Sequence, residues 1–129
     1  FKWMHLPFWQ TAAVAGVSRI DEQLQAAGQK YGWCAAPTLV LLPAVRAART
    51  AEARVDQNLA MLQAVEAIRM YGAEHGGKLP KTLQDLPVPA PLEPFTGKEL
   101  EYQCLGDRAI LTGYPVPGRQ IRLVLRFAK

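Results

Sequence analysis

The chain has 129 residues, 50% of them hydrophobic and 20% charged, a globular composition that excludes a disordered or collagen-like chain. Fifteen lysines and arginines against eleven acidic residues leave a net charge of +4, too diffuse for the dense basic run of a nucleic-acid reader. At this length about two thirds of the unfolded surface can be buried, so one domain is expected and neither cysteine is needed as a staple.

The sequence opens at Phe1 without an initiator methionine and reads as a piece of a longer chain. Its first residues, FKWMHLPFW, contain no signal-peptide apolar region. The longest apolar run, Cys34 to Val45, is interrupted by Pro37, Thr38 and Pro43 and falls short of the roughly 20 residues a membrane span requires. Residues 8 to 30 gather Ala12, Ala13, Val14, Val17, Ile20 and Leu24 on one side and Ser18, Arg19, Asp21, Glu22 and Gln25 on others, the pattern of one amphipathic helix closed by Gly28 and Gly32. Thr38 can then cap a second helix with a kink near Pro43, or that helix begins at Pro43, where a proline suits the first turn.

From Ala44 to Glu74 there is no proline and the residues are mostly strong helix formers. A continuous helix over Ala44 to Gly72, about eight turns long, is expected. Leu59, Leu62 and Met70 lie within about 60° of Val55 around such a helix, so Val55, Leu59, Leu62 and Val65 are expected among its least exposed residues. Gly72, His75, Gly76 and Gly77 supply the stop, and Leu79-Pro80 prevents resumption. A short helical turn from Lys81 to Leu86 follows.

Residues 87 to 94, PVPAPLEP, are too rich in proline for helix or central strand and are expected to cross in an extended form. Three runs of strand character come after: Leu100 to Leu105, Arg108 to Gly113 and Ile121 to Phe127. Gly106-Asp107 reads as a two-residue hairpin loop that begins with glycine. In the last run Ile121, Leu123, Leu125 and Phe127 share one face, with Arg122, Val124 and Arg126 opposite. The connections are too short for parallel crossovers, so an antiparallel meander in sequence order is expected. The fold class is therefore α+β, with a long helix packed on a small three-stranded meander. The helical half covers residues 1 to 76, the proline-rich connection 77 to 99 and the meander 100 to 129.

This order of parts, with the runs AIRMYGAEHGGKLPKTLQDL, PLEPFTGKELEY and GDRAILTG, resembles type IV pilins and type II secretion pseudopilins. LLPAVRAARTAEAR also looks like their early helix, and the likeness covers roughly residues 39 to 114. It implies a non-catalytic structural or protein-interaction domain of a bacterial cell envelope. Its partners would be other envelope proteins or the rest of its own chain, with any membrane association made through a segment outside these residues. The chain departs from the pattern at three places. His5 stands where pilin assembly uses a glutamate, Glu93 stands where the turn has aspartate with no acidic cluster to hold calcium, and residues 8 to 30 have no counterpart.

Among chemistry-bearing residues, His5, Cys34, His75 and Cys104 lack the close spacing of a zinc site. The cysteines read as small packed thiols, with a Cys34–Cys104 bridge as the alternative. Glu66 and Arg69 fall inside the apolar stripe and read as an ion pair along the helix, or as a buried acid poised for proton transfer. Trp3, Phe8, Trp9, Tyr31 and Trp33 read as a clasp folding the first helix onto the long one, or as a cluster that lies on a membrane interface or anchors a partner. Arg119, Arg122, Arg126 and Lys129 read as a solvated basic face without the interleaved aromatics of a nucleic-acid strip.

No catalytic, cofactor-binding or metal set is expected. A second reading is a small peptide- or ligand-binding module that uses the sheet edge and the proline-rich segment. Finally, Glu93 to Lys98 is expected as a tight turn with Gly97 at positive φ, delivering Leu100, Tyr102 and Cys104 inward and Glu99, Glu101 and Gln103 outward.

Overall fold

The computed structural model describes residues 6–14, 17–116 and 118–127. Helices α1 (Phe8–Val14) and α2 (Val17–Tyr31) occupy the stretch expected to be a single helix, and residues 15 and 16 lie outside the described residues. Helix α2 runs through Gly28. Gly32, at φ +54, opens a short 3-10 helix, Gly32–Ala35, because only glycine enters the left-handed region without steric cost.

Helix α3 spans Ala36–Glu74 and contains Pro43. It therefore starts ahead of both expected starts, and Thr38 lies inside it rather than capping it. Pro43 removes one backbone donor, but strong helix formers on both sides carry the helix across the gap. The chain divides into two compact units, Phe1–Arg54 and Val55–Lys129, with the division inside α3. Among the described residues no helix is long and apolar enough to cross a membrane.

In the second unit α3 ends as the glycines require. Gly76 has φ +63, and Gly77 N donates to Gly72 O at 2.7 Å, the six-residue closure of a left-handed helix cap. Leu83–Asp85 forms a single 3-10 turn inside the expected helical segment. The Asp85 carboxylate holds its start, accepting from Thr82 N at 2.9 Å and Thr82 Oγ1 at 3.1 Å.

Strands β1 (Glu101–Cys104), β2 (Arg108–Thr112) and β3 (Arg122–Arg126) pair antiparallel in the order β1-β2-β3. This is the expected meander. Gly106, at φ +83, begins the tight β1–β2 loop, closed by Leu105 N donating to Arg108 O at 2.8 Å. Ala109 and Leu111 are buried on the inner face of β2. Tyr102, Cys104, Leu123 and Leu125 are half-buried on the same side, with Glu101, Gln103, Arg122, Val124 and Arg126 exposed, so the inward and outward parities of β1 and β3 fall as expected.

The face that α3 buries differs from the expectation. Val55 and Leu62 are each 57% exposed and Leu59 52%, whereas Met61, Ala64 and Ile68 are at most 1% exposed. Val65 is half-buried at the margin. Gln57, Ala60, Met61, Ala64, Ala67 and Ile68 are all buried, and around the helix they centre about 180° from Val55. Both sides of α3 are apolar, so hydrophobicity alone does not choose between them. The buried side sets Met61 and Ile68, with the small Ala60, Ala64 and Ala67 between them, against Leu83, Leu86, Leu100 and Leu111 in one cluster.

Two glycines mark a close approach between this helix and the meander. A Cβ on Gly113 would lie 3.0 Å from both Gln57 Nε2 and Met61 Sδ, and one on Gly72 would lie 2.5 Å from the Phe127 ring. Gly72→Ala is accordingly expected to lower stability by about 1 kcal/mol, because overpacking outweighs the gain in helix propensity. In a Phe127→Ala background the same substitution should become stabilising, a reversal of sign that a double-mutant cycle by urea unfolding reads directly.

Tyr102 anchors β1 to the α3–β1 connection, its hydroxyl donating to Pro80 O at 2.8 Å. Burial pushes its phenol above the ordinary tyrosine range, and the neighbouring Cys104 adds to the effect. The folded chain thus holds the Tyr102 proton more tightly than the unfolded chain. That contribution to stability is complete below about pH 10 and is lost as pH rises further. Tyr102→Phe should flatten the alkaline fall in melting temperature, at the cost of roughly 1 kcal/mol for the lost hydrogen bond at neutral pH.

Candidate interaction site

Among the exposed large apolar side chains, Leu59, Leu62 and Met70 share one side of α3. With Glu66 they recur every three or four residues within the second unit. Beside them runs the proline-rich segment, which takes no regular structure from Pro87 to Pro91. Leu59, Leu62 and Met70 form one wall and Val88, Pro89 and Pro91 the other, around an open hollow of about 570 Å³. On the other side of the same segment a hollow of about 310 Å³ is lined by Leu83, Leu86, Ala90, Leu92 and Leu100, with Gln84 and Glu99 at its margin. Pro89 and Pro91 line both. The prolines therefore form a rib with an apolar trough on each side. Their fixed φ also holds the rib in shape at little entropic cost.

A buried polar network pins the end of the rib. Glu93, 3% exposed, accepts from Gln57 Nε2 at 2.8 Å through Oε1. Its Oε2 accepts from Phe95 N at 2.8 Å and Thr96 N at 3.1 Å. Gln57 Nε2 also donates to Tyr114 O at 3.0 Å. The backbone closes the same turn, with Gly97 N donating to Glu93 O at 2.8 Å and Glu93 N to Lys98 O at 2.7 Å, and Gly97 takes φ +66. The expected tight turn is thus present, and Glu93 is the residue inside it. A glutamate reaches donors on its own turn and on α3 together, which the shorter aspartate of the resembled pattern would do less readily.

The chemistry-bearing residues lie apart from this trough, with one exception. Arg69 Nη1 donates to Glu66 Oε1 at 3.2 Å, with both side chains 64% exposed, so Glu66 is a solvated partner on the trough wall and not a buried acid. The pair lies on the side of α3 away from the core rather than at the sheet. His75 is exposed, stacked on Tyr71 at 3.9 Å, and its Nδ1 donates to Tyr71 O at 2.8 Å. Cys104 is a free, half-buried thiol. The Cys34–Cys104 bridge weighed as an alternative is therefore absent, and His5 and the side chain of Cys34 lie outside the described residues. Among the described residues no three of His, Cys, Asp and Glu come together as a metal site would require.

Tyr31 and Trp33 are exposed, 58% and 86%, and so do not close the expected aromatic clasp. Phe8 and Trp9 are half-buried; Trp3 lies outside the described residues. Arg119, Arg122 and Arg126 are exposed, and Lys129 lies outside the described residues. Against protein-family models, curated proteins and solved structures, nothing matches this chain. The trough, the proline rib and the chain's own residues therefore carry the functional argument.

The sequence offers the proline-rich segment as a receiver of a peptide or ligand together with the sheet edge, but does not set Val88, Pro89 and Pro91 against the exposed side of the long helix. The available signal was the pairing of two features: a helix apolar on opposite sides, and a proline segment too short to cover more than one of them.

Proposed function

We propose that the chain is a non-catalytic interaction domain of a bacterial cell envelope, similar to the globular part of a pseudopilin, whose long helix serves a partner and its own sheet from opposite sides. One observation carries this reading: Leu59, Leu62 and Met70 remain exposed on α3, opposite the core, beside a rigid proline rib. A folded domain has little reason to keep a row of large apolar side chains in water, and such rows mark protein interaction sites. Helix-in-groove recognition uses anchors at this i, i+3, i+4 spacing. The helix-to-meander order and the EPFTGKELEY turn support the pseudopilin likeness, which supplies the envelope.

A photo-crosslinking residue at position 59, introduced in the cells that make the protein, tests the reading. Adducts with an envelope protein or a second copy of the chain are expected at position 59 and absent at exposed Glu101. Equal yields at both positions, or adducts with cytoplasmic proteins alone, would count against it.

A further inference from the structure

The outer face of the sheet poses a separate electrostatic problem. Strand register sets Arg108 directly across from Arg126 and Ile110 across from Val124. Directly opposed like charges destabilise a sheet. Arg122 lies on the same face two rows away, and among the described residues no carboxylate reaches any of the three arginines within ion-pair distance. Glu101, the carboxylate within the strands on this face, is separated from Arg122 by Thr112. Val124, 55% exposed, lies between Arg122 and Arg126.

β3 is also an edge strand: in the order β1-β2-β3 it pairs on one side only. Among the described residues, its unpaired backbone edge and its uncompensated arginines therefore run side by side. We propose that β3 receives an extended acidic segment of a partner protein by strand addition, with acidic, apolar and acidic side chains at alternate positions opposite Arg126, Val124 and Arg122. A strand beside β3 presents alternate side chains to this face at about 6.8 Å intervals, which is the spacing of the three receiving residues. The partner's carboxylates offset the Arg108–Arg126 repulsion, and its apolar residue covers Val124. The face carries no aromatic side chain on which a nucleic-acid base could stack, so a protein strand fits it better than a single-stranded nucleic acid. This site lies away from the helical trough and does not depend on the reading proposed for it.

The test is an amide chemical-shift titration of the 129-residue chain with the synthetic peptide Thr-Glu-Thr-Val-Thr-Glu-Thr. Shifts confined to residues 108–112 and 122–126 are expected. Binding should weaken by about tenfold or more for the peptide with glutamine in place of glutamate, and likewise for the peptide N-methylated at alternate residues, tried in both phases. Arg122→Gln with Arg126→Gln should weaken it similarly while leaving the spectrum of the core unchanged. No shift at millimolar peptide overturns the proposal. So does equal binding of the glutamine peptide, equal binding of both N-methylated peptides, or tighter binding of a single-stranded oligonucleotide of equal charge at the same residues.

Discussion

Ile68→Ala is expected to destabilise the unit Val55–Lys129 by about 2–5 kcal/mol, the range for truncating a fully enclosed aliphatic side chain. Leu62→Ala, fewer than two turns away, should change stability by less than about 0.5 kcal/mol. Ile68 is 0% exposed and packs in one cluster with Met61, Ala64, Leu83, Leu100 and Leu111, whereas Leu62 is 57% exposed. Removing Ile68 opens a cavity that Ala64 and Ala67, already minimal, cannot fill. Urea unfolding of the two variants separates the faces of α3 by their energetics, and a large loss for Leu62→Ala with a small one for Ile68→Ala would reverse the assignment.

Glu93→Ala is expected to cost about 2–4 kcal/mol, since it strips acceptors from buried or partly buried donors that no water readily reaches. Phe95 N and Thr96 N lose their shared acceptor, and Gln57 keeps only Tyr114 O. Glu93→Gln should cost less, because its amide oxygen still accepts, although its NH2 group then opposes either a backbone donor or Gln57 Nε2. Gln57→Leu should lose less than Glu93→Ala, because the turn's own backbone donors stay satisfied. Thermal melts order the three variants, and equal melting temperatures for Glu93→Ala and the unaltered chain would show that the network contributes nothing to the fold.

Local chemistry was legible in the sequence wherever one residue type has one conformational use. Gly76 and Gly77 end α3, Gly97 turns the chain at EPFTGK, and Gly106 starts the β1–β2 loop. Each takes a positive φ that a side chain would resist. The outer strands β1 and β3 were legible through their period of two, whereas the central β2 breaks it, with Ile110 buried on the face opposite Ala109 and Leu111.

The orientation of α3 was not legible, for a specific reason. A helical wheel ranks faces by hydrophobicity, and it centres the stripe on Val55, Leu59 and Leu62 while Met61 and Ile68, the large apolar residues of the buried side, fall at its flank. Packing, however, turns that flank to the core. Gly72 and Gly113, each set against a side chain from the opposing element, recorded that packing, but their meaning depends on knowing which elements face each other. The Gln57–Glu93 contact was out of reach for the same reason, since it joins residues 36 positions apart.

The central claim is that α3 turns Met61 and Ile68, with the alanines between them, to its own core and leaves Leu59 and Leu62 for a partner. Thiol accessibility tests it most directly, with single cysteines at positions 61 and 62 in a background where Cys34 and Cys104 are serine. In the purified chain the cysteine of Leu62→Cys should react with a maleimide at the rate of an unprotected thiol, and that of Met61→Cys should be protected. In intact cells producing the protein, Leu62→Cys should become protected as the partner covers it. Equal reactivity of Leu62→Cys in both settings would contradict a covered face, and a protected Leu62→Cys with a reactive Met61→Cys in the purified chain would contradict the fold from which that face is drawn.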